Sequence, residues 1–286
     1  MATPYLTKYV PIKAVRLSMA DLQRVYERLT SYVEEECEKR LAGVQKPDNK
    51  TDDEFETWKE EVRSFAFKID VTIRSRSGVE LVANDASIFS SSNLPEGIET
   101  VFFSNTPSFE TYLGQKPINR FSLLLDFSKP PLLDSRNPLS NPTANNSHLN
   151  IEGDRDSWMA SIEAAVMEVL ANRKNNRGWL HRAYIYDLGM LLFAIPTGFY
   201  VCWRFSGVVN QQFQPIHDFV AAAVYLYLVV FVLWMYRFFF EYTKWAFPLV
   251  ELASDQDGAT KHRAFWVMIV IGLIVQAIWS VLSMMP

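Results

Sequence analysis

Thiol and imidazole groups are scarce in this chain, with two cysteines and four histidines in 286 residues. Cys37 falls in a charged segment and Cys202 at the end of an apolar one, so no disulfide framework is expected. His148, His181, His217 and His262 are scattered without metal-ligand spacing, which yields no metal site and no catalytic imidazole. A Walker lysine loop, a dinucleotide glycine fingerprint and a nucleophile-elbow serine are also missing. No catalytic residue and no cofactor is therefore assigned, and a non-enzyme is expected. Charge of one sign is lacking too: 28 basic residues against 32 acidic ones leave a net charge of -4. A polyanionic partner would thus need a local basic patch. The N-terminus MATPYLTKYVPIK has no apolar stretch, so the first domain is read as made and kept in the cytosol. On such a domain the glycosylation-like Asn49-Lys50-Thr51 and Asn145-Asn146-Ser147 are read as chance.

What is abundant is apolar sequence in the last third. Ala183 to Trp203, Phe219 to Phe240 and Ala264 to Met285 are nearly uncharged runs. A hydrocarbon core of roughly 30 Å takes about 20 residues of helix, so each run predicts a membrane span. Basic residues near span ends set orientation. Arg173, Lys174, Arg177 and Arg182 precede the first run, Arg204 alone follows it closely, and Arg237, Lys244, Lys261 and Arg263 populate the next gap. This places residues 1–182 in the cytoplasm, the 204–218 loop outside, the 241–263 loop inside and the C-terminus outside. Trp179, Trp203, Trp245, Trp266 and Trp279 fall near span ends, as an interfacial belt would.

The preceding residues predict a cytosolic α+β domain over 1–178, with a transmembrane domain over 179–286. Lys8 to Leu17 reads as a first strand. Ser18 and Asp21 form a capping-box variant that opens a helix with Leu22, Val25, Leu29 and Val33 on one face, ending near Gly43. Gln45 to Asp53 is too polar to pack and reads as a loop. From Phe65 the period becomes two, with Phe67, Ile69, Val71 and Ile73 on one side and Lys68, Asp70, Thr72, Arg74 and Arg76 on the other. Ser77-Gly78 then turns the chain into a hairpin partner, Val79 to Val82. Ile98 to Phe103, Asn119 to Phe127 and His148 to Ile151 complete a mostly antiparallel sheet. Lys129 to Ser147 reads as a long loop, and from Asp156 an amphipathic helix places Trp158, Ile162, Ala165, Val166 and Val169 on one face. It either continues to Arg177 as a stiff connector or breaks at Asn176-Arg177-Gly178.

Within the spans, Asp187 lies one turn inside the first, where it reaches the headgroup boundary, pairs with Arg182 or faces protein or water. Pro196 removes a helical hydrogen bond and predicts a kink. Gln276, near the middle of the third span, serves either a helix–helix hydrogen bond or a pore lining. In the soluble domain Lys68, Arg74 and Arg76 on one strand and Arg120 on another are the candidate contacts for a small anionic ligand or oligonucleotide; the alternative is a solvated face.

The order of Gly78-Val-Glu-Leu81, Leu94-Pro-Glu-Gly-Ile98 and Leu149-Asn-Ile-Glu-Gly-Asp154-Arg-Asp-Ser-Trp158, feeding a few C-terminal spans, resembles bacterial anti-phage membrane effectors, and in size and order the channel effectors of the Hailong defence system. The resemblance covers the chain in layout and transfers no site residues. It implies an oligomeric inner-membrane channel that responds to a nucleotide or single-stranded oligonucleotide made by a partner nucleotidyltransferase. Asp156-Ser-Trp158-Met-Ala-Ser-Ile162-Glu-Ala-Ala165 is also similar to the closing helix of a pleckstrin-homology domain, a likeness that helix spacing explains equally well. The expected function is therefore a ligand-responsive, homo-oligomeric pore in the lipid bilayer; a non-conducting membrane-tethered scaffold is the alternative.

Overall fold

The computed structural model describes residues 5–132, 143–213, 215–253 and 259–284. In chain order these form β1 (Leu6–Pro11), β2 (Val15–Leu17), α1 (Met19–Ala42), α2 (Asp52–Glu61), a π-helical turn (Val62–Ala66), β3 (Asp70–Ser75) and β4 (Glu80–Ala83). A 3-10 turn (Ala86–Ser90), β5 (Ile98–Ser104), α3 (Pro107–Leu113), β6 (Arg120–Asp126), β7 (His148–Gly153) and α4 (Asp156–Ala171) follow. After a second 3-10 turn (Asn176–Trp179) come α5 (Ala183–Gly189), a π-helical stretch (Met190–Ala194), α6 (Ile195–Phe213), α7 (Asp218–Ala246), β8 (Val250–Leu252) and α8 (Ala259–Met284). The chain divides into two compact units. One holds Met1–Ser128, Asn145–Asn176 and Val250–Asp255; the other holds Lys129–Ala144, Arg177–Leu249 and Gln256–Pro286.

The first unit is α+β. Six strands in the order β1-β7-β6-β5-β3-β4 pair antiparallel throughout; β3, β6 and β7 alternate buried and less buried residues, while the edge strand β1 is largely exposed. Val71, Ile73, Val101, Phe103, Phe121, Leu123, Leu125, Leu149 and Ile151 point to one buried face. The buried sides of α1 (Leu22, Val25, Leu29, Val33) and α4 (Ile162, Ala165, Val166, Val169) complete that core. Ser18 caps α1 through a reciprocal box with Asp21, and Gly43 closes it, as the sequence predicts. Gly78, with φ 84°, makes the β3–β4 turn that the Ser77-Gly78 pair announces.

Three local expectations change. The strand read from Phe65 begins only at Asp70, because Val62 and Ala66, both buried, stand four residues apart in a helical turn while Phe65 turns outward to stack on Tyr112. The single strand over Lys8 to Leu17 is two strands in two different sheets: β1 joins the large sheet, and β2 pairs in parallel with β8. Gln45 to Asp53 ends in a capped helix start, Thr51 and Glu54 forming the box that opens α2. The long loop expected over Lys129 to Ser147 lies partly outside the described residues, as does Met285, the last residue of the third expected span.

In the second unit, Tyr184–Phe213 and Asp218–Ala246 are helices long and apolar enough to cross a membrane. They pack as an antiparallel hairpin. The first runs ten residues past the expected end at Trp203 and the second begins at Asp218, so most of the expected 204–218 loop is helical. The α8 helix covers the third expected run.

Candidate functional site

Arg120 stands apart from Arg74, the cation expected to share a ligand with it. Lys68 precedes β3 and is half-buried, and Arg76 lies in the turn beyond it, where its backbone N–H donates to the Gly97 carbonyl at 3.0 Å. Arg74 is exposed on the open face of the sheet, 3.6 Å from Glu80. Register places Arg74 opposite Thr100 and Thr100 opposite Asp126. Arg120 begins the same strand that ends at Asp126, six residues away, which at strand rise is about 20 Å.

Arg120 instead lines a cleft of about 160 Å³ with Thr106, Lys116, Ser122, Asn150 and Glu152. Its guanidinium donates to Glu152, donates at 3.4 Å to the Pro117 carbonyl, and sits 5.8 Å from the centre of the Tyr5 ring. Asn150 Nδ2 donates to the other oxygen of Glu152 at 3.2 Å. One guanidinium is thus held in place, while the exposed Lys116 keeps its ammonium in water. With the Ser122 and Thr106 hydroxyls nearby, the cleft suits a single small anionic group. Sequence reasoning found Arg120 but missed Lys116, whose only signal is a basic residue beside Pro117.

A second polar cluster is structural. The Glu36 carboxylate, 4% exposed, accepts from Arg40 Nε at 2.7 Å, from Asn119 Nδ2 at 2.8 Å and from Arg155. Asn119 Oδ1 accepts in turn from the Asp154 N–H at 3.1 Å. A Cβ on Gly153 would collide with that oxygen, so Gly153, the last residue of β7, leaves the space in which Asn119 lies. Every oxygen of Glu36 has a donor, which fits a fastener between α1, α4 and the sheet rather than a proton donor. No cluster of potential metal ligands occurs among the described residues.

The β2 strand lies between the segment that leads into the hairpin and the segment that follows it. On one side the segment leading out of α4 lies along it: the Arg16 N–H donates to the Arg173 carbonyl at 3.0 Å, and the Asn175 N–H to the Ala14 carbonyl at 3.1 Å. On the other side runs β8, with Val15, Arg16 and Leu17 opposite Val250, Glu251 and Leu252. Arg16 Nε stands 3.8 Å from Glu251, which is 3% exposed. Residues 173–175 lead into the hairpin and 250–252 follow it. Asp21, in the first turn of α1, accepts from Arg173 Nε at 2.9 Å and ties the helix to the same place.

In the second unit the hairpin is registered by polar contacts. Tyr236 Oη donates to the Tyr186 carbonyl at 3.0 Å, Cys202 Sγ approaches the Tyr225 carbonyl at 3.6 Å, and Tyr225 Oη donates to Asn210 Oδ1 at 2.9 Å. At 1.5 Å per residue, the stretch from Tyr184 to Trp203 is about 30 Å long, one hydrocarbon thickness. The expected kink at Pro196 takes the form of a widened turn: the Ile195 N–H bonds the Met190 carbonyl, five residues back, just before the proline. Asp187 and Pro196 are both exposed, and Asp187 makes no ion pair with Arg182. Gln276 is exposed on α8, which meets α7 near its start through Trp266 and His262 against Phe239, Tyr242 and Trp245. Large side chains on both hairpin helices face outward, Phe193 at 68% and Leu226 at 65% exposure among them. A core helix of a soluble protein would bury them, so the hairpin points to membrane association.

At the end of α7 three segments converge on Phe247. The Arg177 and Arg263 guanidiniums each lie 5.6 Å from its ring centre, and His181 Nε2 donates to its carbonyl at 2.8 Å. The other ring nitrogen of His181 accepts from Thr143 Oγ1 at 2.8 Å, a pairing that suits the neutral imidazole. Burial holds the His181 pKa below its ordinary value; the Phe247 carbonyl opposes this, and the Lys244 and Arg177 charges add to it.

No protein-family model, curated protein or solved structure matches the chain.

Proposed function

We propose that the chain is a ligand-responsive, oligomeric membrane effector whose spans form an ion-conducting pore in a bacterial inner membrane, in the manner of the anti-phage effectors it resembles in layout. The reading rests on one observation: β2 of the α+β unit is flanked by the segment that leads into the apolar hairpin and the segment that follows it. A ligand that shifts this strand, or the α1 start tied to it, would act on both ends of the hairpin together. The Lys116/Arg120 cleft is the candidate ligand site, and its chemistry fits a phosphate of a nucleotide or short oligonucleotide. In this reading α8 is a third span, the first unit is cytoplasmic and the C-terminus outside. A ring of subunits would gather Gln276 into a polar belt.

A non-conducting, membrane-tethered scaffold is the second reading, favoured by the scarcity of polar side chains along the hairpin. Planar-bilayer recording of the purified full chain, with and without candidate nucleotides, separates the two. Ligand-dependent current that falls in Gln276→Leu supports the pore; silence of an oligomer under every ligand supports the scaffold. A reporter after Pro286 that lies in the cytoplasm would overturn the three-span topology.

A further inference from the structure

We infer that the basic end of the hairpin is a binding surface for anionic phospholipid headgroups. The inference rests on the membrane reading above and adds a partner to it. Among the described residues of the second unit, seven basic residues belong by chain position to this end of the hairpin: Lys129, Arg177, Arg182, Arg237, Lys244, Lys261 and Arg263; Lys244 is buried and pairs with Glu241 at 3.4 Å, whereas Arg182 and Lys261 are exposed. Two carboxylates, Asp187 and Glu241, accompany them. Among the described residues the opposite end has Arg204 and Asp218 as its only Asp, Glu, Lys or Arg. The asymmetry is built into one place, because Arg177 and Arg263 both lie over Phe247, Arg263 Nε donates to the Ala246 carbonyl at 2.8 Å, and Lys129 stands 4.9 Å from the centre of the neighbouring Trp245 ring.

Arg182 and Lys261 are exposed, and Trp179 and Tyr184, which flank Arg182 in the chain, are also more than half exposed. Arg182 stands two residues before the apolar helix and Lys261 two residues into α8, so both fall where headgroups would lie if these helices cross the bilayer. An exposed cation next to an amphipathic ring at that depth pairs with lipid phosphate while the ring sits among acyl-chain ends. Zwitterionic lipid returns a positive group to the same surface and gains less. The surface therefore selects anionic over zwitterionic lipid, and does so at one end of the hairpin.

The test uses the full chain. Carbonate extraction of membranes first establishes integration, and a chain stripped by carbonate overturns both the membrane reading and this one. Native mass spectrometry of the detergent-solubilised protein, offered equal phosphatidylglycerol and phosphatidylcholine, then reads lipid selection. Wild type should retain phosphatidylglycerol severalfold over phosphatidylcholine, since each juxtamembrane cation favours anionic lipid about fivefold at low salt. Arg182→Gln with Lys261→Gln should bring the ratio close to one, while Arg204→Gln at the other end should leave it unchanged. Excess inorganic phosphate should not displace the lipid; displacement would mark a free-anion site and overturn the lipid assignment. Equal retention by wild type, or an unaltered ratio in the double variant of an integrated chain, would overturn the inference and leave the spans standing.

Discussion

The Tyr236 hydroxyl reaches the Tyr186 carbonyl at 3.0 Å by crossing the backbone of the first apolar helix at Gly189, where a Cβ would collide with it. One missing side chain therefore sets how close the two helices approach. Tyr186 and Tyr236 rings lie 5.4 Å apart, and Phe240 closes on Tyr186 at 5.3 Å. This contact is also the best place to test whether the hairpin is the unit's stable core.

Gly189→Ala should force Tyr236 off its position and cost about 1–3 kcal/mol, the usual penalty of overpacking. Tyr236→Phe alone removes one hydrogen bond, about 1 kcal/mol. Combining the two should cost less than their sum, since the colliding oxygen is gone. Thermal unfolding of all three variants in detergent supplies the cycle, and simple additivity would count against the contact.

Asp21 ties the α1 start to Arg173. Burial opposes its ionisation but is outweighed by the Ser18 N–H and hydroxyl and by Arg173, so the carboxyl titrates below its ordinary value of 3.8. A depressed carboxylate stabilises the fold above the unfolded value, and that stabilisation is lost as pH falls through the folded one. Asp21→Asn should therefore lower the melting temperature at neutral pH, at a cost of about 1–2 kcal/mol, and flatten the loss of stability in acid. An unchanged acid limb in the variant would show that another group carries it.

His181 works with the opposite sign. Its pKa is held below 6.5, so below that pH the unfolded chain takes up a proton that the folded chain refuses. Acidification under pH 6.5 should destabilise the wild type, whereas above it His181 contributes no pH dependence. His181→Gln keeps a donor for the Phe247 carbonyl and should lose this acid sensitivity. Melting curves from pH 5 to 8 decide it, and equal slopes in the two proteins would dismiss the role.

Cys37 is buried, and burial followed by the Glu38 charge pushes its thiol up to about 11. In a Cys202→Ala background, a thiol reagent at pH 7 should label the folded protein at the rate of unfolding rather than of chemistry. Fast labelling under native conditions would show that α1 opens locally.

Much of the first unit was legible because strand and helix periods are written in consecutive residues. Phe121, Leu123 and Leu125, or Leu22, Val25, Leu29 and Val33, announce their buried faces without reference to anything distant. Turn chemistry was equally local, as Gly78 and the Ser18/Asp21 box show. The short helical pieces at 62–66 and 107–113 were missed, since Phe65 extends the alternating pattern and α3 is too brief to display a period. At the candidate ligand site the sequence offered four cations by type. The separation of Arg120 from Arg74 depended on strand register, which no single strand records.

The sequence by itself determined that two long apolar helices follow an α+β region, because run length and period are properties of one stretch of chain. Only the tertiary structure decided that Asp21 meets Arg173, 152 residues away, and that Val250–Leu252 returns to pair with Val15–Leu17. It also decided that Arg120 joins Lys116 instead of Arg74, and that Gly189 makes room for Tyr236. These are pairings between segments distant in the sequence, and their specificity resides in shape and complementary hydrogen bonds that exist only once the chain has closed on itself.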